Sequence, residues 1–323
     1  MRALICGVTG QDGAYLSRLL IDRGYEVHGT SRDAAHASLA RLEALGVRDG
    51  VRLHSMAPGD FRSVLQVLAL VRPDEVYDLG GQSSVGLSFE QPIETMESIA
   101  GATLNLMEAL RALDLACRTY NACSSECFGD TGDAPADERT AFRPRSPYGV
   151  AKAAAYWHVA NYRASYGMFA CSGILFNHES PLRPERFVTQ KIVGAACRIA
   201  GGSREPLVLG NLDVSRDWGW APEYVEAMWR MLRQPRPCDY VIATGETHPL
   251  RAFVERAFAA VGLDWREHVR SDPALARPSD IAVSRADPSR AAAELGWRAS
   301  MRMPQVVDAM VAAHRGASPA RRG

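Results

Sequence analysis

The sequence predicts an α/β chain, a doubly wound parallel sheet with helices on both faces and a smaller mixed α/β lobe. Three observations predict it. Short apolar runs alternate with amphipathic ones through the first half, a glycine triplet separates the first run from the second, and the pattern changes after "NHESPLRPERF".

Taken in order, "RALICGV", "EVHGTS", "VRLHSM", "DEVYDLG" and "CRTYNAC" are short and rich in β-branched or aromatic residues, as strands are. Between them "DGAYLSRLLIDRG", "ASLARLEALG", "DFRSVLQVLALVR" and "ETMESIAGATLNLMEALRALD" place apolar residues at helical spacing. A long helix follows from about Ser146 to Ser165, then a strand "FACSGILF". Beyond "NHESPLRPERF", helices near 187–201, 221–234 and 250–261 alternate with short strands such as "PLVLG" and "DYVIATG". The organisation expected is a Rossmann-type dinucleotide-binding domain over 1–176, with returning segments near 212–248. A discontinuous substrate lobe is expected mainly over 177–323. The tail "HRGASPARRG" is expected to be disordered.

"ICGVTGQDGAYLSRLL" sets Gly7, Gly10 and Gly13 between the first strand and the first helix. A chain there must turn tightly, let its backbone approach a diphosphate and pack the helix close to the sheet. The helix N-terminus then offers oriented N–H groups to the anion. The spacing is G-x-x-G-x-x-G, and an ordinary glycine-rich turn is the alternative. The second strand ends in Ser31 and Arg32, where an NAD site usually carries an acid, so NADP is favoured over NAD. Asp33 keeps the other reading open, since it either pairs with Arg32 or, with the register slipped by two, binds a ribose.

Lys+Arg total 37, yet only Lys152 and Lys191 are lysines. Lys152 stands four residues after Tyr148, on the same helical face. An ammonium close to a phenol stabilises the phenolate and brings its pKa toward neutrality. Phenolate then takes a proton from a sugar hydroxyl while hydride leaves the same carbon. The alternative is a surface Tyr and Lys at chance spacing. "NACSSECFG" follows the fifth strand, at the carboxyl edge where ligands collect, and offers Ser124, Ser125 and the Glu126 carboxylate. Beside a ketone, Glu126 is placed to remove an acidified proton and protonate a leaving hydroxyl; a capping serine and a solvated glutamate are the plain alternative.

Asp+Glu also total 37, so the formal net charge is zero and no global field draws nucleic acid or an anionic membrane. No apolar run nears the roughly 20 residues of a membrane span, and the N-terminus turns glycine-rich too early for a signal peptide. A cytoplasmic protein is expected. The seven cysteines form no CxxC pair, so reduced, mostly buried thiols and no metal are expected.

The segments "GVTGQDGAYLS", "LGGQSSV", "SSECFG", "RSPYGVAKAAAYW", "GILFNHESP", "RFVTQKI" and "LGNLDVSRDWG" are similar to those of the extended short-chain dehydrogenase/reductases. Within them the chain resembles the GDP-mannose 4,6-dehydratase family from residue 4 to about 297. The resemblance implies a catalytic set of Ser124, Glu126, Tyr148 and Lys152, acting on a GDP-sugar with NADP as a recycled cofactor. Tyr148 would take the O4 proton, Ser124 would hydrogen-bond O4 and Glu126 would remove the C5 proton as water leaves C6. It also implies cofactor contacts at Gly7, Thr9, Gly10, Gln11, Asp12, Gly13, Arg32, Asp60, Leu79 and Gly80, besides Tyr148 and Lys152. Substrate contacts are implied at Ser84, Asn177, Val188, Lys191, Gly210, Arg216, Arg251 and Arg277, several of them cations suited to two adjacent phosphates.

The chain departs from the family pattern in places. "RDAAHASLARLEALG" is shorter and more alanine-rich than the usual Arg/Ser-rich loop reaching a neighbouring subunit, so a dimer is expected rather than a tetramer. Ser84 stands where histidine is common, Ser124 where threonine is, and Leu182 where an arginine is. A related GDP-sugar such as a heptose therefore stays open as substrate. A reductase or epimerase of the same superfamily is the enzymatic alternative, and a non-catalytic dinucleotide-binding regulator the remote one.

Overall fold

In the computed structural model, which describes residues 1–275 and 277–317, thirteen strands and twelve α-helices alternate along the chain. The first half runs β1 (Arg2–Cys6), α1 (Gln11–Asp22), β2 (Glu26–Ser31), α2 (Ala40–Ala44), β3 (Val51–Ser55), α3 (Phe61–Val71), β4 (Glu75–Asp78), α4 (Val85–Glu90), α5 (Pro92–Met96), α6 (Ala102–Ala112), β5 (Arg118–Ser124), α7 (Pro147–Tyr166) and β6 (Ala170–Leu175). The second runs β7 (Asn177–Glu179), α8 (Val188–Ala200), β8 (Leu207–Leu209), β9 (Ser215–Arg216), β10 (Trp218–Trp220), α9 (Ala221–Met231), β11 (Tyr240–Ile242), β12 (His248–Pro249), α10 (Leu250–Ala259), β13 (Val269–Ser271), α11 (Ser289–Glu294) and α12 (Met303–Ala317).

Seven strands form one parallel sheet in the order β11-β6-β5-β4-β1-β2-β3. The order reverses at β1, so the ends of β1 and β4 splay and open a crevice at the carboxyl edge. Alternate residues of β1 face opposite cores: Ala3 and Ile5 pack with α1 and α9, Leu4 and Cys6 with α3 and α6. Burial on both faces explains why these strands read as continuous apolar runs. A separate apolar cluster joins α8, β8, α10 and α12.

Some elements differ from the sequence expectation. The predicted helix over 94–114 is interrupted by a π-helical turn at Glu97–Gly101, whose Ile99 packs with Ala151, Ala155 and Tyr148. The predicted strand ending at Phe176 stops at Leu175, and the chain re-forms as β7 against β10. Of the tail expected to be disordered, residues 314–317 instead close α12, and 318–323 lie outside the described residues. Among the described residues no helix is long and apolar enough to cross a membrane.

Candidate active site

The glycine triplet builds a cradle only glycine permits. Gly7 has φ +79°, and a Cβ on it would stand 3.0 Å from Gly80 Cα and from Leu79 O. A Cβ on Gly13 would stand 2.5 Å from Gly7 O and 2.7 Å from Val8 Cα. The turn is tied by Gly10 N–H to Gly7 O (3.0 Å), and α1 starts with Ala14 N–H to Gly10 O (3.1 Å). In front of this turn opens a cleft of about 990 Å³, lined by Gly7, Thr9, Ser31, Arg32, Asp60, Asp78, Gly80 and Arg186 among others. Bare backbone at a helix N-terminus beside a long cleft fits a dinucleotide diphosphate.

Asp60 lines the cleft and also caps α3, accepting from Arg62 N–H at 2.9 Å. Asp33 is committed to its own loop. It accepts from the backbone N–H groups of Ala35 (3.0 Å) and His36 (3.2 Å) and lies 2.9 Å from the His36 imidazole, while Ser31 and Arg32 line the cleft.

Ser124 ends β5, and its hydroxyl accepts from Glu126 N–H at 3.3 Å, capping a short 3-10 turn over Ser125–Cys127. α7 starts with Pro147 after Ser146, whose hydroxyl accepts from Gly149 N–H at 3.0 Å. Gly149 explains how the two segments meet: a Cβ there would stand 2.7 Å from Glu126 O. The first turn of α7 thus lies directly on the backbone of Glu126, with Tyr148 beside Ser124. Tyr148, Ser124, Glu126 and Lys152 are brought together from β5 and α7.

One electrostatic expectation is corrected. Burial pushes the Tyr148 phenol well above its ordinary pKa, and the neighbouring Ser124 hydroxyl only partly opposes this. Lys152 does not bring the phenol to neutrality here. Its buried ammonium donates to Ala122 O at 2.7 Å and lies 5.9 Å from the Tyr148 ring centroid. Its charge is shared with Asp78, whose carboxyl burial pushes up while Lys152 and Thr103 pull it down. Burial likewise raises Glu126, against the fields of Arg216 and Arg277, with Asp280 adding to the rise.

Of the residues proposed for the substrate, Arg216 and Arg277 join Glu126 in one charged cluster. Arg216 is buried, donates to Ile281 O (2.8 Å) and Ser215 O (3.0 Å), and pairs with Asp280 at 3.2 Å. Arg277 pairs with Asp280 at 3.6 Å. Arg251 points elsewhere, to Asp213 at 2.6 Å and the Trp265 ring. Asn177 pairs in register with Trp218, Val188 and Lys191 occupy the first turn of α8, and Lys191 is exposed. Ser84 caps α4, accepting from Leu87 N–H at 3.2 Å, and Gly210 lies against Leu275 O. Gln11 and Asp12 turn their side chains toward β7 rather than into the cleft. Sequence reasoning passed over His178, Arg183, Arg41, Asp78 and Asp280. "NHESP" signals His178 only weakly, because its partner Asp12 is 166 residues away.

A family model described as GDP-mannose 4,6 dehydratase matches residues 4–310. The chain belongs to the GDP-mannose 4,6-dehydratase family. It is 44% identical over 319 residues to GDP-mannose 4,6 dehydratase 1 of Arabidopsis thaliana, covering 96% of this chain and 88% of that one. It is 45% identical over 320 residues to the GDP-mannose 4,6-dehydratase of Sinorhizobium fredii, covering 92% and 91%. Among solved structures, the UDP-glucose 4-epimerase of Thermus thermophilus in complex with NAD is similar, with TM-score 0.86, 26% identity and coverage of 98% and 100%.

Proposed function

We propose that this protein is a nucleotide-sugar dehydratase, a hydro-lyase that converts GDP-mannose to GDP-4-keto-6-deoxymannose with NADP recycled in place. The observation that carries this reading is the close approach of α7 to the Glu126 backbone at Gly149. It sets a phenol, a hydroxyl and a carboxylate at the carboxyl edge of the sheet.

Tyr148 removes the O4 proton of the sugar while Ser124 hydrogen-bonds that oxygen. Lys152, one helical turn on, holds a positive charge 5.9 Å from the phenol ring, whose resting pKa burial keeps raised. Glu126 then removes the C5 proton, acidified by the new C4 ketone, and a proton passes to the departing C6 hydroxyl, which leaves as water. A carboxyl with a raised pKa suits both halves of that exchange. A nicotinamide dinucleotide held by Gly7, Thr9, Arg32 and Gly80 would supply reversible hydride storage, so no external reductant would be consumed. NADP is favoured because Arg32 faces the cleft and Asp33 is committed elsewhere.

Residues 1–176 with 212–248 form the dinucleotide-binding domain in this reading, and the rest of 177–323 the GDP-sugar lobe. In this reading Asn177, Val188, Lys191, Gly210 and Arg216 serve the nucleotide and diphosphate, Arg277 closes over the phosphates, Arg251 would have to leave Asp213 to join it, and Ser84 lies near the sugar. The chain pairs as a homodimer through exposed apolar side chains of α5 to α7: Ile93 is 73% exposed and Trp157 62%. Arg41 supports dimer over tetramer, since it donates inward to Thr9 O (3.0 Å) and Leu182 O (2.9 Å) instead of reaching outward. Light scattering of the wild type and Trp157→Glu tests the pairing.

The test of function is incubation of purified protein with GDP-mannose and no added NADPH, read by mass spectrometry. A product lacking one water is expected. Stoichiometric NADPH consumption would instead make the protein a reductase, and loss of water from a GDP-heptose alone would move the substrate assignment.

A further inference from the structure

A buried imidazole–carboxylate pair fastens the mouth of the cradle to the segment that carries Asn177. His178 on β7 has Nδ1 2.8 Å from Phe176 O and Nε2 2.9 Å from Asp12 Oδ2. A carbonyl only accepts, so Nδ1 carries a proton; an ionised carboxylate only accepts, so Nε2 carries one too. With Asp12 ionised, which its lowered pKa favours, the ring is an imidazolium. Asp12 Oδ1 accepts from the Gln11 amide at 3.0 Å, and Gln11 also donates to His178 O (3.3 Å) and accepts from Ser180 (2.8 Å).

The groups facing His178 come from several elements. Asp12 approaches from α1, Arg183 from the loop after β7, and the Tyr224 ring of α9 stacks on it at 4.6 Å and 24°. Glu179 and Asp217 add negative field around Tyr224. Burial and Arg183 disfavour the imidazolium, yet Asp12 and Phe176 O outweigh them and raise the His178 pKa. Burial works to raise Asp12 as well, and His178, Gln11 and Arg183 together hold it below its usual value. Both shifts agree with the proton count from geometry.

Asp12 is the second residue of α1, so its carboxylate sits in the turn whose N–H groups would meet a diphosphate. We propose that His178 is a positioning residue that neutralises Asp12, making the N-terminus of α1 receptive to the dinucleotide diphosphate and its affinity dependent on pH. This rests on the dinucleotide-binding reading above. As pH rises through the His178 pKa, the proton is lost, a ring lone pair then faces an oxygen, and the carboxylate is left uncompensated in the first turn. The affinity should fall by roughly three- to tenfold, the size of one charge at a helix N-terminus.

The test is calorimetric titration with NADP+ from neutral into alkaline pH at constant ionic strength, alongside the ring 15N resonances of His178. Two protonated ring nitrogens at neutral pH are expected, with weakening of NADP+ binding at the midpoint of the His178 titration. Asp12→Asn, which keeps the acceptor oxygen and removes the charge, should flatten the pH dependence. A singly protonated ring at neutral pH would overturn the proposal, as would an equal alkaline loss in Asp12→Asn. Tight binding that ignores pH sinks this proposal alone, whereas no NADP+ binding at any pH sinks the dinucleotide reading with it.

Discussion

Replacing Gly13 with alanine probes the cradle most directly. The added methyl would lie 2.5 Å from Gly7 O and 2.7 Å from Val8 Cα and O, all backbone atoms. None yields easily. Gly7 is held at φ +79° with its carbonyl accepting from Gly10, Val8 is fully buried, and the Ser17 hydroxyl ties Gly13 O at 2.7 Å. To reach ordinary contact at 3.4 Å, α1 must withdraw by about 0.9 Å, carrying its free N–H groups with it. Overpacking of this kind costs about 1–3 kcal/mol. For a chain of this length that lowers Tm by roughly 2–5 °C. Dinucleotide affinity should suffer more, by about one to two orders of magnitude, because displacement by nearly an ångström degrades every N–H contact at once. Gly24, just past the other end of α1, is the control: φ is +76° but nothing lies within 4 Å of an added Cβ. Gly24→Ala should cost about 1–2 kcal/mol in strain and leave affinity unchanged. Thermal melting and NADP+ calorimetry read both variants. Wild-type affinity in Gly13→Ala would refute the inference that close α1 packing makes the binding surface.

Four further outcomes follow from the structure. Glu126→Gln should lower dehydration on the order of 10³-fold while reduced cofactor still accumulates from the first step, followed by absorbance; undiminished elimination would remove Glu126 as the base. Because burial raises Glu126 and Arg216 opposes the rise, the acid limb of kcat/KM should lie above the ordinary glutamate range, and Arg216→Gln should move it higher still in a pH–rate profile. Asp217 is buried, accepts from the N–H groups of Thr244 and Gly245, and has a pKa raised to about 6, chiefly by burial. The folded state then binds its proton more tightly than the unfolded chain, so this group's share of stability falls as pH rises from about 4 through that value, by up to ~3 kcal/mol. Urea unfolding of Asp217→Asn should show that slope removed. Finally, five of the seven cysteines are buried and only Cys197 and Cys238 are partly exposed, so a thiol reagent should titrate two at most in the native protein and all seven in denaturant.

Much of this was legible because it is local. The strands and flanking helices announce themselves through periods that backbone geometry imposes, and the Gly7–Gly10–Gly13 spacing reports a turn that side chains would block. Tyr148 and Lys152 are one helical turn apart by construction. Other features were hidden for the opposite reason. β7 and β10, or β9 and β12, are two or three residues long and pair across tens of residues, below any periodic signal. The expected lowering of Tyr148 is outweighed by burial of the phenol, and the Lys152 ammonium donates to Ala122 O instead, surroundings that sequence does not place beside it.

By itself the sequence determined the parallel sheet, the dinucleotide cradle and the residue types able to move protons on a sugar, since period and spacing act over a few bonds. Only the tertiary structure decided the upward pKa shifts of Tyr148 and Glu126, the commitment of Asp33 to its own loop, and the union of Asp12 with His178. Those depend on which groups exclude water and which charges meet across the fold. Desolvation and Coulomb energy are properties of packed surroundings, not of neighbours along the chain.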